Sequence, residues 1–306
     1  MKKLLSLTIL LTVLLFSFVS CSSKNNVKMT VDGIEIKNGV YNYYYEEATK
    51  ETDKDEERAE IALQKCKEFA AAQILLKEKE LSVRAYFKRK TAEDTDALWN
   101  MFGEHYKKNG ISKPDINAVV FNQYIKKELL HYYYDTDGIK PVSVIDLKEE
   151  FVELYVGFKA IEGSLTKENS MGETVSLSEE EIKTLKNKFS SMASQINNKS
   201  ATIDELNESY NESLGLIVTD TLPIILAKKD DGLYEESFFS AVMNIPHGFA
   251  RVIESGSSIY VVERAVIATS DEDAFTEYSE EVLQYMKMGS IDKMVKKRAD
   301  KLTVEE

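Results

Sequence analysis

Two cysteines, Cys21 and Cys66, and three histidines, His105, His131 and His247, are the only thiols and imidazoles in the 306-residue chain. The histidines are far apart, with no HExxH pattern, no paired-cysteine spacing and no Asp-rich calcium loop beside them, so neither a metal centre nor a cofactor is expected. His131, in His131-Tyr132-Tyr133-Tyr134-Asp135, reads as a structural residue or a cation at a helix C-terminus. No Ser/His/Asp set, glycine-rich phosphate loop or isolated carboxylate pair stands out, and Glu179-Glu180-Glu181 reads as the solvated first turn of a helix. Cys66 falls on an apolar helical stripe and is expected to face a core. Two candidate sites remain. Cys21 directly follows an apolar run and places a thiol at a membrane boundary. Phe238, Phe239 and Met243 could line a groove for a peptide, with core packing the alternative for the same three side chains.

Lys2 and Lys3 precede an apolar run from Leu4 to Val19, then Ser20-Cys21-Ser22-Ser23. Roughly 15 apolar residues fall short of the about 20 that span a bilayer comfortably, so the run reads as the hydrophobic region of an export signal. Phe18-Val19-Ser20-Cys21 resembles the lipobox of bacterial lipoproteins, with Phe18 where leucine is usual. That resemblance implies a signal peptide over 1–20, a diacylglyceryl thioether on Cys21 and a short polar tether to residue 28. It implies attachment to the extracytoplasmic face of the cell membrane. An uncleaved anchor or an ordinary secretory signal is the alternative.

Removing residues 1–20 takes two lysines and moves the formal charge from -13 to -15. An acidic chain is repelled by nucleic-acid phosphates and anionic headgroups, so no nucleic-acid partner is expected and membrane attachment must come through the lipid. Once Cys21 is modified, Cys66 is the one remaining thiol and no intramolecular disulfide can form. Four prolines, 13 glycines and 43% hydrophobic residues fit a helix-rich globular chain, and no second apolar run approaches spanning length.

Met29-Thr30-Val31-Asp32-Gly33-Ile34-Glu35-Ile36 predicts a strand, an Asp-Gly turn and a second strand. Asn38 is the expected cap of a helix with Val40, Tyr41, Tyr44, Tyr45 and Ala48 on one face. A long helix follows, with Ala59, Leu63, Cys66, Ala70 and Ile74 as its buried stripe. Two more helical patterns run from Ala97 to Tyr106 and from Pro114 to Tyr134, and Ser143 with Asp146 caps another through Leu154. Tyr155 to Ile161 reads as a strand. Capping boxes at Ser178/Glu181 and Thr202/Glu205 open two helices, the first carrying Ile182, Leu185, Phe189, Met192 and Ile196. Leu214 to Leu226 contains Pro223 and reads as an edge or irregular strand. Phe238 to Met243 reads as a helical turn, and Ala250–Glu254 with Ile259–Arg264 as a closing hairpin. From Asp273 to Leu302 the pattern is helical with a break at Gly289-Ser290; its apolar stripe is expected to pack back on the helical N-terminal block.

The order of these elements resembles the SurA and PrsA extracytoplasmic foldases nearly end to end. Val31-Asp32-Gly33-Ile34-Glu35-Ile36 and the tyrosine-rich helix look like the family's opening, and Val142-Ser143-Val144-Ile145-Asp146-Leu147 like the helix leading into its parvulin-type prolyl isomerase domain. Phe238, Ala241, Met243, Ile245 and Gly248 resemble a segment of that domain. The resemblance implies a mainly α fold with an α+β insert. Its parts are a helical chaperone-like domain over 29–154, a parvulin-like domain over 155–268 and a C-terminal helix over 269–306. It also implies catalytic histidines on the first and last domain strands. Here those strands read Gly157-Phe158-Lys159-Ala160-Ile161 and Gly256-Ser257-Ser258-Ile259-Tyr260, so Ala160, Ser258 and Tyr260 occupy the former site and should face one cleft.

The leading expectation is a membrane-anchored chaperone that binds unfolded or newly exported proteins through an apolar cleft, without isomerase catalysis. An active peptidyl-prolyl isomerase and a ligand- or partner-binding lipoprotein on the same scaffold are the alternatives, and a homodimer is left open.

Overall fold

The computed structural model describes residues 26–217, 221–228, 232, 234–267 and 272–305; Cys21, the signal segment and most of the tether lie outside them. The chain divides into two units, 1–142 with 283–306, and 143–282. It is mainly α with an inserted α+β unit.

The first unit opens with β1 (Val27–Val31) and β2 (Ile34–Lys37), an antiparallel pair. Asp32 and Gly33 turn the chain with φ of 44° and 82°, the doubly positive geometry that matches strand twist. Four helices follow: α1 (Asn38–Ala48), α2 (Asp55–Glu78), α3 (Ala85–Lys108) and α4 (Lys113–Tyr134). Lys37 rather than Asn38 holds the cap position of α1; Asn38 is the first helical residue. In α2 the buried stripe is Ala62, Cys66, Phe69, Ala70 and Leu75, and Leu63 is 37% exposed. Ala71 and Ala72 are buried as well, so the covered face is wider than the expected stripe.

Helix α3 begins twelve residues before its expected start. Thr91 and Thr95 are buried, and their hydroxyls donate to the carbonyls of Phe87 and Thr91 at 2.8 and 2.6 Å. Back-bonding absorbs their polarity within the helix, so a stretch that looks too polar for a core face can still be buried. Glu128 is buried on α4 and accepts from Arg84 Nε and Nη2 at 3.1 and 3.0 Å, which fixes the start of α3 against α4.

At the N-terminus of α4, Asp115 is buried and accepts from the Ser112 N–H at 2.9 Å and from the Ser112 hydroxyl. Gly39 of α1 lies against this carboxylate, leaving no room for a Cβ. The remaining part of the unit is the end of α9 (Glu272–Ala299) and β9 (Val304–Glu305). Leu283, Ile291, Val295, Ala299 and Leu302 are buried. Arg298 pairs with Glu78 at 2.9 Å, Lys126 pairs with Asp292 at 2.8 Å, and β9 adds to β1 with Val304 opposite Val31. The expected break at Gly289-Ser290 does not occur: α9 runs through it. One helical glycine costs about 1 kcal/mol, less than surrendering the apolar contacts on both sides of it.

In the second unit, α5 (Val144–Leu154) is capped by Ser143, whose Oγ accepts from Asp146 N–H at 3.0 Å. Then come β3 (Tyr155–Ser164), a small hairpin of β4 (Thr166–Glu168) and β5 (Thr174–Ser176), α6 (Glu179–Asn197), α7 (Ile203–Ser213), β6 (Ile225–Lys228), α8 (Glu236–Met243), β7 (Ala250–Ser255) and β8 (Ser258–Ala265). Both capping boxes form. The antiparallel sheet has order β6-β3-β8-β7, with β6 a short edge strand that starts after Pro223. One face packs Ile161, Ile259 and Val261 on Phe189, Met192 and Ile196 of α6 and on Ile203 and Tyr210 of α7. The other packs Val156, Phe158 and Val262 on Phe238 and Val242 of α8. Among the described residues no helix is long and apolar enough to cross a membrane.

Gly39→Ala is expected to destabilise the first unit by about 1–3 kcal/mol through overpacking against Asp115, read as a lower urea midpoint at unchanged slope.

Candidate functional site

The register of β3 with β8 decides which side chains can meet. Ala160 lies opposite Val262, Glu162 opposite Tyr260 and Ser164 opposite Ser258. Opposed residues of an antiparallel pair share a face, and alternate residues along each strand share it too, so Ala160, Tyr260 and Ser258 lie on one side of the sheet. Ala160 and Tyr260 pack on the α8 side of the core.

Glu162, exposed, organises this face. Ser258 Oγ donates to Glu162 Oε1 at 2.6 Å and Tyr260 Oη donates to the same oxygen at 3.1 Å. Burial, with the Glu162 carboxylate adding to it, raises the Tyr260 hydroxyl above its ordinary value, so it stays a donor at neutral pH. Behind it the rings of Phe158, Tyr234 and Tyr260 surround Phe238, with centroids 5.7, 5.0 and 5.4 Å from it.

Phe238 is 2% exposed at the centre of that cluster, so it is core and not the wall of a groove. The reason is helical phase: Phe238 and Val242 point at the sheet, whereas Phe239 and Met243, one residue on from each, are half-buried. Phe239 and Met243 line a recess of 530 Å³ with Tyr234 and Asn244, which does not include Ala160, Ser258 or Tyr260. Ala160, Ser258 and Tyr260 thus share one face of the sheet, and Phe239 and Met243 line a recess that none of the three borders.

The opposite face holds a cluster that sequence reasoning missed. Lys159 lies opposite Glu263 in the ladder and pairs with Asp204 of α7 at 2.7 Å; Asp204 also accepts from the Leu222 N–H at 2.8 Å. Burial raises the Glu263 carboxyl above its ordinary value, with Asp204 adding to the rise and Lys159 opposing it. The lysine and glutamate border a recess of 720 Å³. The available signal was positional: Lys159 and Glu263 sit in register with Ile161 and Val261, on the inward side of both strands.

The histidines stay separate. His247 Nδ1 lies 3.2 Å from the Ala265 carbonyl in an exposed turn, His131 Nδ1 lies 3.1 Å from Asp135 Oδ2, and His105 Nε2 lies 3.7 Å from Glu46 Oε2. Burial pushes the Cys66 thiol up to about 12, which keeps it protonated and unreactive. Among the described residues no group of three or more His, Cys, Asp or Glu side chains could hold a metal ion.

No protein-family model and no curated protein matches the chain. Among solved structures it is similar to the foldase protein PrsA from Streptococcus pneumoniae, at 14% identity and a TM-score of 0.42, over 90% of this chain and 92% of that one. For PrsA from Bacillus subtilis the values are 15% and 0.32, over 90% and 91%. For a SurA-like chaperone from Campylobacter jejuni they are 12% and 0.30, over 92% and 98%. At these values none of the three assigns this chain a family or any of its residues a role.

Two outcomes follow from the geometry. Phe238→Ala is expected to cost about 3–5 kcal/mol in urea unfolding of the second unit, a core-sized loss. Glu263 has a folded value above the ordinary 4.5, so its contribution to stability is present below that value and lost as pH rises through the folded one. Glu263→Gln should therefore melt higher than the parent at pH 7, with the difference narrowing as pH falls toward 4.5.

Proposed function

We propose that the chain is a lipid-anchored extracytoplasmic chaperone that holds unfolded exported polypeptides and lacks prolyl isomerase chemistry. The observation that carries the second half is the set of Glu162, Ser258 and Tyr260. Loosening a peptide bond means working against a barrier of about 18–20 kcal/mol, which calls for groups placed to stabilise the twisted amide. On this face the hydroxyls of Ser258 and Tyr260 already donate to Glu162, and a carboxylate offers the peptide nitrogen no proton. The sequence resemblance to foldases puts histidines at such positions. In this unit the sequence has His247 alone, in a turn, and no cysteine.

The first half rests on the basic pair, the apolar run and Cys21, together with the resemblance in element order. An anchor of this kind supplies local concentration at the surface where exported chains emerge, so weak and general binding is sufficient. The half-buried Phe239 and Met243 offer apolar surface to such clients, methionine being suited to varied partners.

A proline-peptide isomerisation assay on the mature protein should give the uncatalysed rate, while the same preparation suppresses aggregation of several unrelated unfolded proteins. Robust turnover would establish the isomerase alternative. Failure with every client, combined with tight binding of one defined ligand, would establish the ligand-binding alternative. Cys21→Ala should abolish incorporation of labelled fatty acid and move the protein out of the membrane fraction.

A further inference from the structure

The C-terminal turns of α3 carry an apolar face turned to solvent. Met101 is 71% exposed and Phe102 44%, with Leu98, Trp99 and Tyr106 half-buried beside them. The rings form one shelf: Trp99 stacks on Tyr106 at 6.4 Å, and Phe102 meets Tyr106 edge-on at 6.1 Å. The indole N–H of Trp99 and the hydroxyl of Tyr106 donate to no described residue. Burial raises the Tyr106 hydroxyl above its ordinary value, so it keeps its proton. Each ring thus has an apolar body and an unspent polar tip, the pattern of aromatic side chains that are apolar at one end and wet at the other.

The chain enters this unit close by. Asn26, the first described residue, accepts from Asn38 Nδ2 at 3.4 Å where α1 begins. One turn on, Asn42 Nδ2 donates to the Asn109 carbonyl at 2.9 Å, and Glu46 lies 3.7 Å from His105, so α1 and the end of α3 run side by side. From Asn109 back to Phe102 is about 10 Å of helix, at about 1.5 Å per residue. The stretch from Cys21 to Asn26 reaches about 17 Å when fully extended. A lipid on Cys21 therefore keeps the aromatic face within reach of the bilayer surface.

Charge beside the face is close to balanced, although the chain as a whole is acidic. Lys107 pairs with Glu104 at 2.6 Å and Lys50 with Glu47 at 2.8 Å, and Lys108 has no carboxylate partner among the described residues. Headgroups consequently meet no local excess of carboxylates here. Aromatic rings with polar tips favour the membrane–water boundary, where the ring reaches acyl carbon and the tip stays among headgroups. An unfolded client would also cover apolar side chains, but the anchor holds the bilayer at a constant high local concentration and does not do so for any client.

We propose that this face of α3 docks on the lipid surface to which Cys21 anchors the chain, with Met101 and Phe102 entering the boundary between headgroups and acyl chains. The proposal rests on the anchor reading: attachment comes from the lipid, and the aromatic face sets how the first unit is turned toward the membrane.

Trp99 is the single tryptophan of the chain, so its emission reports on this face alone. The probe is the mature chain 21–306 coupled through Cys21 to a maleimide phospholipid in phosphatidylcholine–phosphatidylglycerol vesicles; the buried Cys66 thiol stays unlabelled. Emission is expected to move to shorter wavelength on coupling and to be quenched by lipids brominated high on the acyl chain. Met101→Gln combined with Phe102→Gln, which keeps good helix formers at two exposed positions, should lose both effects while staying vesicle-bound and melting as the parent does. Met101→Gln alone should weaken the quenching in the same direction and serves if the double variant does not fold. Emission of the coupled parent equal to that of the free chain would overturn the proposal, as would equal quenching in the parent and the folded double variant. Loss of aggregation suppression in the double variant, with no quenching of the parent, would give the face to clients and remove it from the membrane. Incorporation of labelled fatty acid in cells tests the anchor separately. Labelling without quenching removes this proposal and keeps the anchor; quenching without labelling removes the anchor and, with it, the membrane this face would meet.

Discussion

The apolar stripe of the last helix is the constraint on which the architecture turns. Leu283, Ile291, Val295, Ala299 and Leu302 must leave water, and they do so in the unit built by residues 26–142. Whatever lies between 142 and 283 is thereby made an insert, obliged to leave one unit and return to it. The ion pairs Arg298–Glu78 and Lys126–Asp292 add orientation more than stability, because exposed pairs contribute little, and the apolar burial carries the association.

The second unit uses a single sheet to separate two chemistries. Alternation along β3 sends Ala160 and Glu162 to the α8 side and Lys159 and Ile161 to the other. One face thus carries a carboxylate accepting from two hydroxyls, while the opposite one carries an ion pair beside a carboxyl that burial holds above its ordinary value. A one-residue slip of β3 against β8 would exchange the two sets, so the ladder register is also what keeps each polar group with its partners.

Much of this is legible from residue types. Capping boxes are local, and Ser178/Glu181 and Thr202/Glu205 form as their spacing requires; the Asp32-Gly33 hairpin forms because its turn residues accept positive φ. What is not legible depends on partners distant in sequence. The burial of Thr91 and Thr95 depends on back-bonding, and the continuity of α9 on contacts flanking Gly289. Site residues follow the same division. Ser258 and Tyr260 share a face by simple parity, yet Glu162 joins them only once the register is known, and Phe238 exchanges a groove for the core through one step of helical phase.

The two-residue strand β9 and the residue before it set an order of events. Thr303 donates to Asp32 Oδ1 from its N–H at 2.9 Å and its hydroxyl at 2.7 Å, across a separation of 271 residues. That closure joins residues far apart in sequence, and contacts of such separation are slow to form. The contiguous 143–282 segment can fold while the chain is still being delivered, whereas the helical unit stays open until its last residues arrive. A cut or truncation near the C-terminus would therefore leave the sheet unit intact and undo the first hairpin, damage appearing at the opposite end of the sequence from its cause.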